Sequence, residues 1–168
     1  MNHIELFAGC GGLCLGLSSV GFKLVMANEL SPMAAETFAF NILNEDLQAK
    51  SQLSKHSLWI SSQFSREDMK KRLREDPRSY PSDLTVNSDL HGNGDNLQGS
   101  LVVGNILALN EWLNAHPIAR AKLASALVKE KSISFLVDHL VNRLVWLDLE
   151  RKIMKKILFH GRLLSLQL

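Results

Sequence analysis

The chain has 168 residues, a formal net charge of +2 and a mean hydropathy of +0.00. This length is enough for one domain with a real core, and the mildly basic charge is compatible with nucleic-acid binding without arguing for it. No apolar run is long enough to span a membrane, and Glu5 and several glycines interrupt the first apolar run, so we expect no signal peptide.

The stretch from Ile4 to Leu17 predicts a buried strand, a tight turn and the start of a helix. The turn contains Gly9, Gly11 and Gly12, which permit left-handed backbone and close approach to a ligand. The helix begins at Leu13, with its first N–H groups pointing back at the turn. This arrangement is typical of a nucleotide-type site in a doubly wound α/β domain, although a purely structural turn has the same glycine spacing.

A second apolar run, from Phe22 to Ala27, predicts the next strand and ends at Asn28 and Glu29. An acidic residue about 20 positions past the first glycine is where such folds hold a ribose hydroxyl, and its charge disfavours a phosphate there. A solvated loop acid is the alternative. Ser31 and Pro32 then predict the N-cap and first residue of a helix that continues through Phe40.

The motifs quoted so far resemble the N-terminus of the DNA (cytosine-5)-methyltransferases. The resemblance covers residues 3–43, about a quarter of the chain, and is carried by Phe7-Ala8-Gly9-Cys10-Gly11-Gly12-Leu13, Gly21-Phe22, Asn28-Glu29 and Ala35-x-Thr37-Phe38-x-x-Asn41. It implies a Rossmann-like parallel sheet and favours S-adenosylmethionine over NAD as cofactor. It further implies that Phe7 to Leu13 hold the methionine part and pack near the adenine, that Glu29 holds the ribose, and that Leu30 lies against the adenine.

Residues 44–99 are polar and form a long insert between the second and third predicted strands, and inserts of this length are usually functional or mobile. Ser65-x-x-Asp68 resembles a capping box and predicts a helix over residues 65–74, with Met69 and Leu73 on one face. The basic residues at 70–74 could contact phosphate. A solvated helix face is the better interpretation, because acidic residues interleave with them.

The third predicted strand, Ser100 to Gly104, ends in Gly104-Asn105-Ile106. In the resembling family this tip is usually Gly-Asp-Ile, and the acid receives the adenine amino group. The resemblance therefore adds Asn105 and Ile106 to the cofactor-binding residues. The amide oxygen of Asn105 can accept the same hydrogen bond without the charge, and the residue is equally suited to cap the next helix.

The rest of the chain completes a β-α-β-α-(insert)-β-α-β pattern, which favours a parallel sheet. Residues 107–130 predict a helix that Pro117 divides, and residues 133–137 predict a fourth strand. We expect residues 1–137 to be the N-terminal part of a cofactor-binding methyltransferase domain. Residues 138–168 form a tail unlike the family.

The catalytic loop of the resembling family is absent from the chain. That family places Gly-Pro-Pro-Cys-Gln at the tip of the fourth strand, where the cysteine adds to C6 of a flipped-out cytosine. Here residues 138–148 contain no cysteine. The two cysteines of the chain, Cys10 and Cys14, belong to the cofactor turn, so we predict no catalytic residue. They also form no metal-ligand set with the six scattered histidines and no disulfide framework, which predicts a reducing, cytoplasmic location.

The genetic code suggests a frameshift near Val137. Codons can be chosen for residues 137–148 that encode Gly-Pro-Pro-Cys-Gln-Ser-Phe-Ser-Met-Ala-Gly in a neighbouring frame. The competing interpretation takes the tail as an amphipathic helix that docks on a second subunit carrying the cysteine.

The expected parent function is methyl transfer from S-adenosylmethionine to C5 of cytosine in DNA, in a restriction–modification setting. DNA is the expected partner of the full-length protein, whereas the isolated chain is expected to be inactive. The first alternative is a non-catalytic, S-adenosylmethionine-binding subunit of a split methyltransferase. The second is an NAD-type or small-molecule methyltransferase domain.

Overall fold

The computed structural model describes residues 1–49 and 54–128. Its strands are β1 (Asn2–Leu6), β2 (Lys23–Glu29), β3 (Ser57–Trp59) and β4 (Ser100–Val103). Its α-helices are α1 (Gly12–Ser19), α2 (Pro32–Phe38), α3 (Met69–Arg72), α4 (Ile106–Ala115) and α5 (Pro117–Val128). A π-helical turn (Ala39–Leu43) extends α2, and 3-10 turns span Arg66–Asp68 and Pro77–Ser79.

The four strands form one parallel sheet in the order β1-β2-β4-β3. The protein is therefore an α/β fold with an incomplete Rossmann-like sheet, as the sequence predicted. Within the described residues β1 pairs on one side alone, with β2, and so lies at an edge of the sheet. The predicted fourth strand at 133–137 and the tail at 138–168 fall outside the described residues.

Apolar side chains cover both faces of the sheet, and the helices pack over them in two layers. One core cluster contains side chains of α1, α2, α3 and the residue that follows α3: Cys14, Ala35, Phe38, Met69 and Leu73. The other contains side chains of α4 and α5: Leu109, Trp112, Ala119, Leu123 and Ala126. The central β4 is buried along its whole length, as is usual for a parallel strand covered on both faces.

The helix boundaries follow the capping signals of the sequence. Ser31 caps α2, its hydroxyl accepting from the backbone N–H of Ala34 at 3.5 Å, and Pro32 is the first helical residue. Pro117 begins α5 and so divides the long helical stretch, as predicted. Among the described residues, no helix combines the length and apolar character needed to cross a bilayer.

The insert contributes a strand to the sheet, which the sequence analysis did not predict. β3 pairs in parallel with β4, with Ser57 opposite Leu101 and Trp59 opposite Val103. The strand has only three residues, too few for a periodic pattern to reveal it among polar neighbours. Trp59 is fully buried in the α1–α3 layer, so the insert is partly a structural element of the core.

The predicted helix at 65–74 is shorter in the structure, and one of its basic residues is not solvated. Its apolar face is confirmed, since Met69 and Leu73 are both buried. Arg72, however, is 0% exposed, so the solvated-face interpretation is wrong for this residue. Its guanidinium pairs with Asp89 (Nη1 to Oδ2, 2.9 Å) and lies 4.8 Å from the ring centre of Trp59.

Candidate functional site

The turn after β1 has the backbone geometry that its glycines predicted. Gly9 and Gly11 adopt left-handed conformations, with φ of 55° and 90°. A Cβ on Gly11 would lie 2.7 Å from Cγ1 of Ile42, so no larger residue fits there. Phe7 also has a positive φ, 58°, which strains a non-glycine residue and is found most often at functional sites.

Hydrogen bonds attach this turn to the end of β2. The N–H of Ala8 donates to the carbonyl of Asn28 at 3.0 Å, and the N–H of Gly9 donates to Oε2 of Glu29 at 2.7 Å. The other carboxylate oxygen, Oε1, accepts from the N–H of Ser31 at 2.8 Å. Glu29 is therefore held in place by charge-assisted bonds from both sides, and its oxygens keep further lone pairs for hydroxyl donors.

The tip of β4 joins the same arrangement. The N–H of Gly104 donates to the carbonyl of Glu29 at 2.9 Å. The buried side-chain amide of Asn28 donates to the carbonyls of Val102 (2.9 Å) and Gly104 (3.1 Å). Three parallel strands thus end together, which is where open α/β sheets bind ligands.

Asn105 caps α4, as one of its two predicted roles required. Its side-chain oxygen accepts from the N–H of Leu107 at 2.8 Å. That oxygen has a second lone pair, so the cap leaves an acceptor at the strand tip. Ile106, the first residue of α4, is half-buried beside it.

Exposed apolar side chains accompany these strand tips. Phe7 follows β1, Leu30 follows β2, and Leu107 follows β4; their exposed fractions are 69%, 43% and 67%. Leu13 and Met33, in the first turns of α1 and α2, are also exposed. Large apolar side chains at a ligand-binding edge of a sheet are typical of a surface that receives a ligand or another part of the protein.

The insert reaches this edge through Tyr80, a residue that sequence reasoning missed. The phenol donates to the carbonyl of Leu30 at 3.2 Å. Burial raises the pKa of Tyr80, and the nearby Glu75 carboxylate adds to the effect, so the phenol remains a donor. Nothing in the local sequence marks this tyrosine, because its partner lies 50 positions away.

The two cysteines occupy different environments. Cys10 is exposed on the turn, whereas Cys14 is 1% exposed beneath it. Burial raises the pKa of the Cys14 thiol, and the neighbouring Glu5 raises it further. A thiol held protonated is a poor nucleophile.

His3 and Glu5 also lie beside Cys14, a grouping that the sequence analysis did not foresee. Because the histidines are scattered along the chain, the sequence predicted no metal-ligand set around the cysteines. Strand alternation puts positions 3 and 5 of β1 on one face, and α1 packs over that face.

A match to a known family decides what this strand–turn–helix arrangement resembles. Residues 1–69 match the family model of the C-5 cytosine-specific DNA methylases. The resemblance stated from the motifs is thereby confirmed. The methylase match includes the turn, Glu29 and Leu30, and it ends before Asn105 and Ile106.

Two curated relatives agree with the family match. The type II methyltransferase M.DdeI from Desulfomicrobium norvegicum is 38% identical over 52 residues, which are 28% of this chain and 12% of the relative. The type II methyltransferase M.PspPI from Psychrobacter sp. is 42% identical over 50 residues, 27% of this chain and 12% of the relative. The matched stretch thus spans about an eighth of each relative. No solved structure matches the chain.

Proposed function

We propose that this chain carries the N-terminal part of the cofactor-binding domain of a DNA (cytosine-5)-methyltransferase and binds S-adenosylmethionine at the carboxyl edge of the sheet. The main support is the 2.7 Å hydrogen bond from the Gly9 N–H to Glu29, which builds the methylase turn and the acidic strand tip into one unit. In the complete enzyme the methyl group goes to C5 of cytosine in DNA. The type II relatives favour a restriction–modification setting.

The residues at this edge fit the parts of the cofactor. Glu29 accepts hydrogen bonds from the two ribose hydroxyls through the lone pairs that Gly9 and Ser31 leave open. The turn from Phe7 to Leu13 holds the methionine part. A Cβ on Gly9 or Gly12 would meet nothing within 4 Å, so there is room for a ligand over the turn.

The adenine lies between apolar side chains in this proposal. Leu30 and Ile106 pack against the ring, and Phe7 lies at its edge. The side-chain oxygen of Asn105 accepts from the adenine amino group while it also caps α4. When bound, the cofactor supplies an electrophilic methyl group; the residues named here bind and orient it.

A binding titration with Glu29→Gln tests the cofactor assignment. Hydrogen bonds to a charged group contribute about 1.5–3 kcal/mol each. We therefore expect the variant to weaken S-adenosylmethionine binding by about 10–100-fold in isothermal titration calorimetry. Glu111→Gln, on the exposed side of α4, is the matched control and should bind like the parent. NAD should bind to none of the three proteins.

An analogue separates ribose contact from a merely structural role of Glu29. The parent should bind the 3′-deoxy analogue of S-adenosylmethionine more weakly than the cofactor itself, because one hydroxyl partner of Glu29 is missing. In Glu29→Gln the two ligands should bind almost equally. If the loss from the missing hydroxyl is the same in both proteins, Glu29 does not hold the ribose.

We further propose that the 168 residues alone do not transfer methyl groups. The sequence contains two cysteines, of which Cys14 is buried and Cys10 is part of the turn. A DNA methylation assay with tritiated cofactor should give no incorporation above background. Incorporation that Cys10→Ser abolishes would contradict this.

The frameshift hypothesis is tested by sequencing the gene and several hundred bases downstream. A Pro-Cys loop in the neighbouring frame after Val137 would identify residues 138–168 as a product of the shift. A separate downstream gene that begins at the Pro-Cys motif would favour the split enzyme instead, and mixing the two chains should then restore methyl transfer. If the neighbouring frame contains no such loop, the frameshift idea is wrong.

A further inference from the structure

β1 turns two polar side chains toward a buried face of the sheet. His3 and Glu5 are 7% and 4% exposed, whereas Ile4 and Leu6, which alternate with them, pack in the apolar layer on the other face. A parallel strand covered on both sides is ordinarily apolar at all such positions. Two polar residues in this place therefore need a partner that offsets the cost of their burial.

Cys14, from the first turns of α1, completes a cluster with these two side chains. One ring nitrogen of His3, a carboxylate oxygen of Glu5 and the sulfur of Cys14 all lie within 4.8 Å of one another. A tetrahedral zinc ion, with bonds of about 2.0–2.3 Å, needs donor atoms about 3.3–3.8 Å apart. The three donor atoms would have to move about 1 Å closer together to give that spacing, which small side-chain rotations can supply.

Several donor atoms of the cluster lack a protein partner. Among the described residues, neither ring nitrogen of His3 nor Oε2 of Glu5 has a hydrogen bond by geometric criteria. Cys14 approaches the Glu5 carboxyl group and the Lys23 backbone approaches the His3 ring, but burial outweighs both contacts and raises the pKa of Glu5 and lowers the pKa of His3. His3 Nε2 lies 4.0 Å from Glu5 Oε2, too far for a hydrogen bond between the two side chains, so they do not satisfy each other.

We propose that His3, Glu5 and Cys14 bind a divalent transition-metal ion, with Zn²⁺ the best fit. Imidazole nitrogen, carboxylate oxygen and thiolate sulfur are all zinc ligands, whereas calcium and magnesium prefer oxygen alone. A thiolate and a carboxylate together carry two negative charges, which a divalent ion neutralises in a buried place. On binding, the thiol and the carboxyl group release their protons to solvent and the ion forms bonds to sulfur, oxygen and nitrogen.

The proposed ion would join β1 to α1 underneath the glycine turn. Glu5 precedes Phe7 by two positions, and Cys14 follows Gly12 by two, so the metal ligands lie on both sides of the turn. None of the three is among the residues proposed to hold the cofactor. The metal would therefore stabilise the turn from below, independently of whether the cofactor is S-adenosylmethionine.

Cobalt substitution tests this site on the full chain, without an affinity tag and after treatment with a chelator. Co²⁺ bound to a thiolate gives a sulfur-to-metal charge-transfer band in the near ultraviolet, which Zn²⁺ should abolish by displacement. We expect one ion per chain. Cys14→Ser should remove the band and weaken Zn²⁺ binding by at least about 100-fold, because even outer-shell changes cost about 10–100-fold.

The second cysteine provides a matched control. Cys10→Ser changes the exposed thiol of the same turn and should leave the band and the affinity as in the parent. Absence of the band in the parent, its survival in Cys14→Ser, or its loss in Cys10→Ser would each overturn the proposal.

His3→Gln and Glu5→Gln keep the proposal testable if Cys14→Ser fails to fold. Far-ultraviolet circular dichroism, recorded without metal, checks the fold of every variant. In a folded His3→Gln or Glu5→Gln protein the sulfur-to-cobalt band should remain, but the visible cobalt bands should shift and the affinity should fall. Unchanged visible bands and affinity in both variants would exclude these side chains as ligands.

Discussion

The interiors of two regions of this protein are stabilised by different kinds of interaction. Residues 1–43 form two strands and two helices around a glycine turn, and apart from His3, Glu5, Asn28 and Glu29 their buried side chains are mostly apolar. The described residues between 45 and 99 form one short strand and brief helical turns, yet they bury the guanidinium of Arg72 and the carboxylate of Glu75. The first region is organised mainly by backbone pairing and apolar packing, with Glu29 as a charged link at the turn, whereas the second is organised mainly by charged side chains.

The difference shows what replaces regular structure in an irregular segment. Glu45 accepts hydrogen bonds from the N–H groups of Lys55, His56 and Ser57 and from the hydroxyls of Ser54 and Ser57, at 2.7 to 3.1 Å. Glu75 accepts from the hydroxyl of Ser62 and the N–H of Gln63. These carboxylates satisfy backbone groups that a sheet or helix would otherwise pair. Stability in the insert should therefore depend on single charged residues.

Removing the buried charge of Arg72 is expected to have the largest effect. Arg72→Met leaves Asp89 buried without its closest cation, and breaking such a pair costs about 3–5 kcal/mol. Urea unfolding of the full chain measures the change. Lys71→Met, one position earlier and 65% exposed at its side chain, should stay within about 0.5 kcal/mol of the parent. If both substitutions lowered the free energy of unfolding equally, the insert would not depend on its buried charge.

A methyl group at Gly104 tests the place where the two regions meet. A Cβ there would lie 2.3 Å from Cγ2 of Ile60, and the φ of 144° is unfavourable for any other residue. Gly104→Ala should therefore lose about 1–3 kcal/mol in the free energy of unfolding. The control is Gly94→Ala, where a Cβ meets nothing within 4 Å. A tolerated Gly104→Ala would mean that the insert does not press on the tip of β4.

Acid titration sharpens the role of Glu45. Burial opposes ionisation, but the hydrogen bonds from Ser54 and from the backbone and side chains at 55–57 outweigh it and lower the pKa of Glu45. Its contribution to stability is therefore complete above the unfolded-state pKa of about 4.3 and is lost as the pH falls through the lower folded-state value.

Glu45→Gln should reduce stability at neutral pH and flatten the decline of stability in acid. Unfolding free energies measured from neutral pH down to about pH 3 would show both effects. Glu111→Gln is the control, since that residue lies on the exposed side of α4. A parent and a Glu45→Gln variant with parallel acid profiles would contradict this assignment.

The smallest expected effect is a stabilisation within residues 1–43. Gly16 lies on the exposed side of α1, and a Cβ there would meet nothing within 4 Å. Gly16→Ala should raise the free energy of unfolding by about 0.5–1 kcal/mol, because alanine loses less backbone entropy in a helix. A thermal melt would detect the shift. A loss of stability would indicate that α1 needs the glycine for a reason outside the described contacts.

Local signals explain why the turns and helix boundaries could be predicted from the sequence. The glycine turn, the acid at the end of β2, Ser31 and Pro32 at the start of α2, and Pro117 between α4 and α5 each act through neighbouring backbone. The capping role of Asn105 is equally local. Such signals are contained within a few residues, so a single sequence is sufficient to find them.

Distant partners explain what the sequence did not reveal. Arg72 meets Asp89, and Tyr80 meets the carbonyl of Leu30, across 17 and 50 positions. The cluster of His3, Glu5 and Cys14 depends on the packing of α1 over β1. β3 is recognisable only from its pairing with β4. None of these contacts has a periodic or short-range pattern, and the predicted cofactor contacts stay predictions until a ligand is bound.

The pairing of β3 has a consequence for the order of folding. Among the described strands β3 pairs with β4 alone, and β4 follows it in the chain. During synthesis β1 and β2 can pair as soon as both have emerged, whereas β3 must wait for β4 with its backbone groups unpaired. Contacts of long sequence separation form late and slowly. The insert therefore cannot dock on the sheet before β4 has emerged, and a nascent chain stopped before residue 100 would expose the strand that the finished protein conceals.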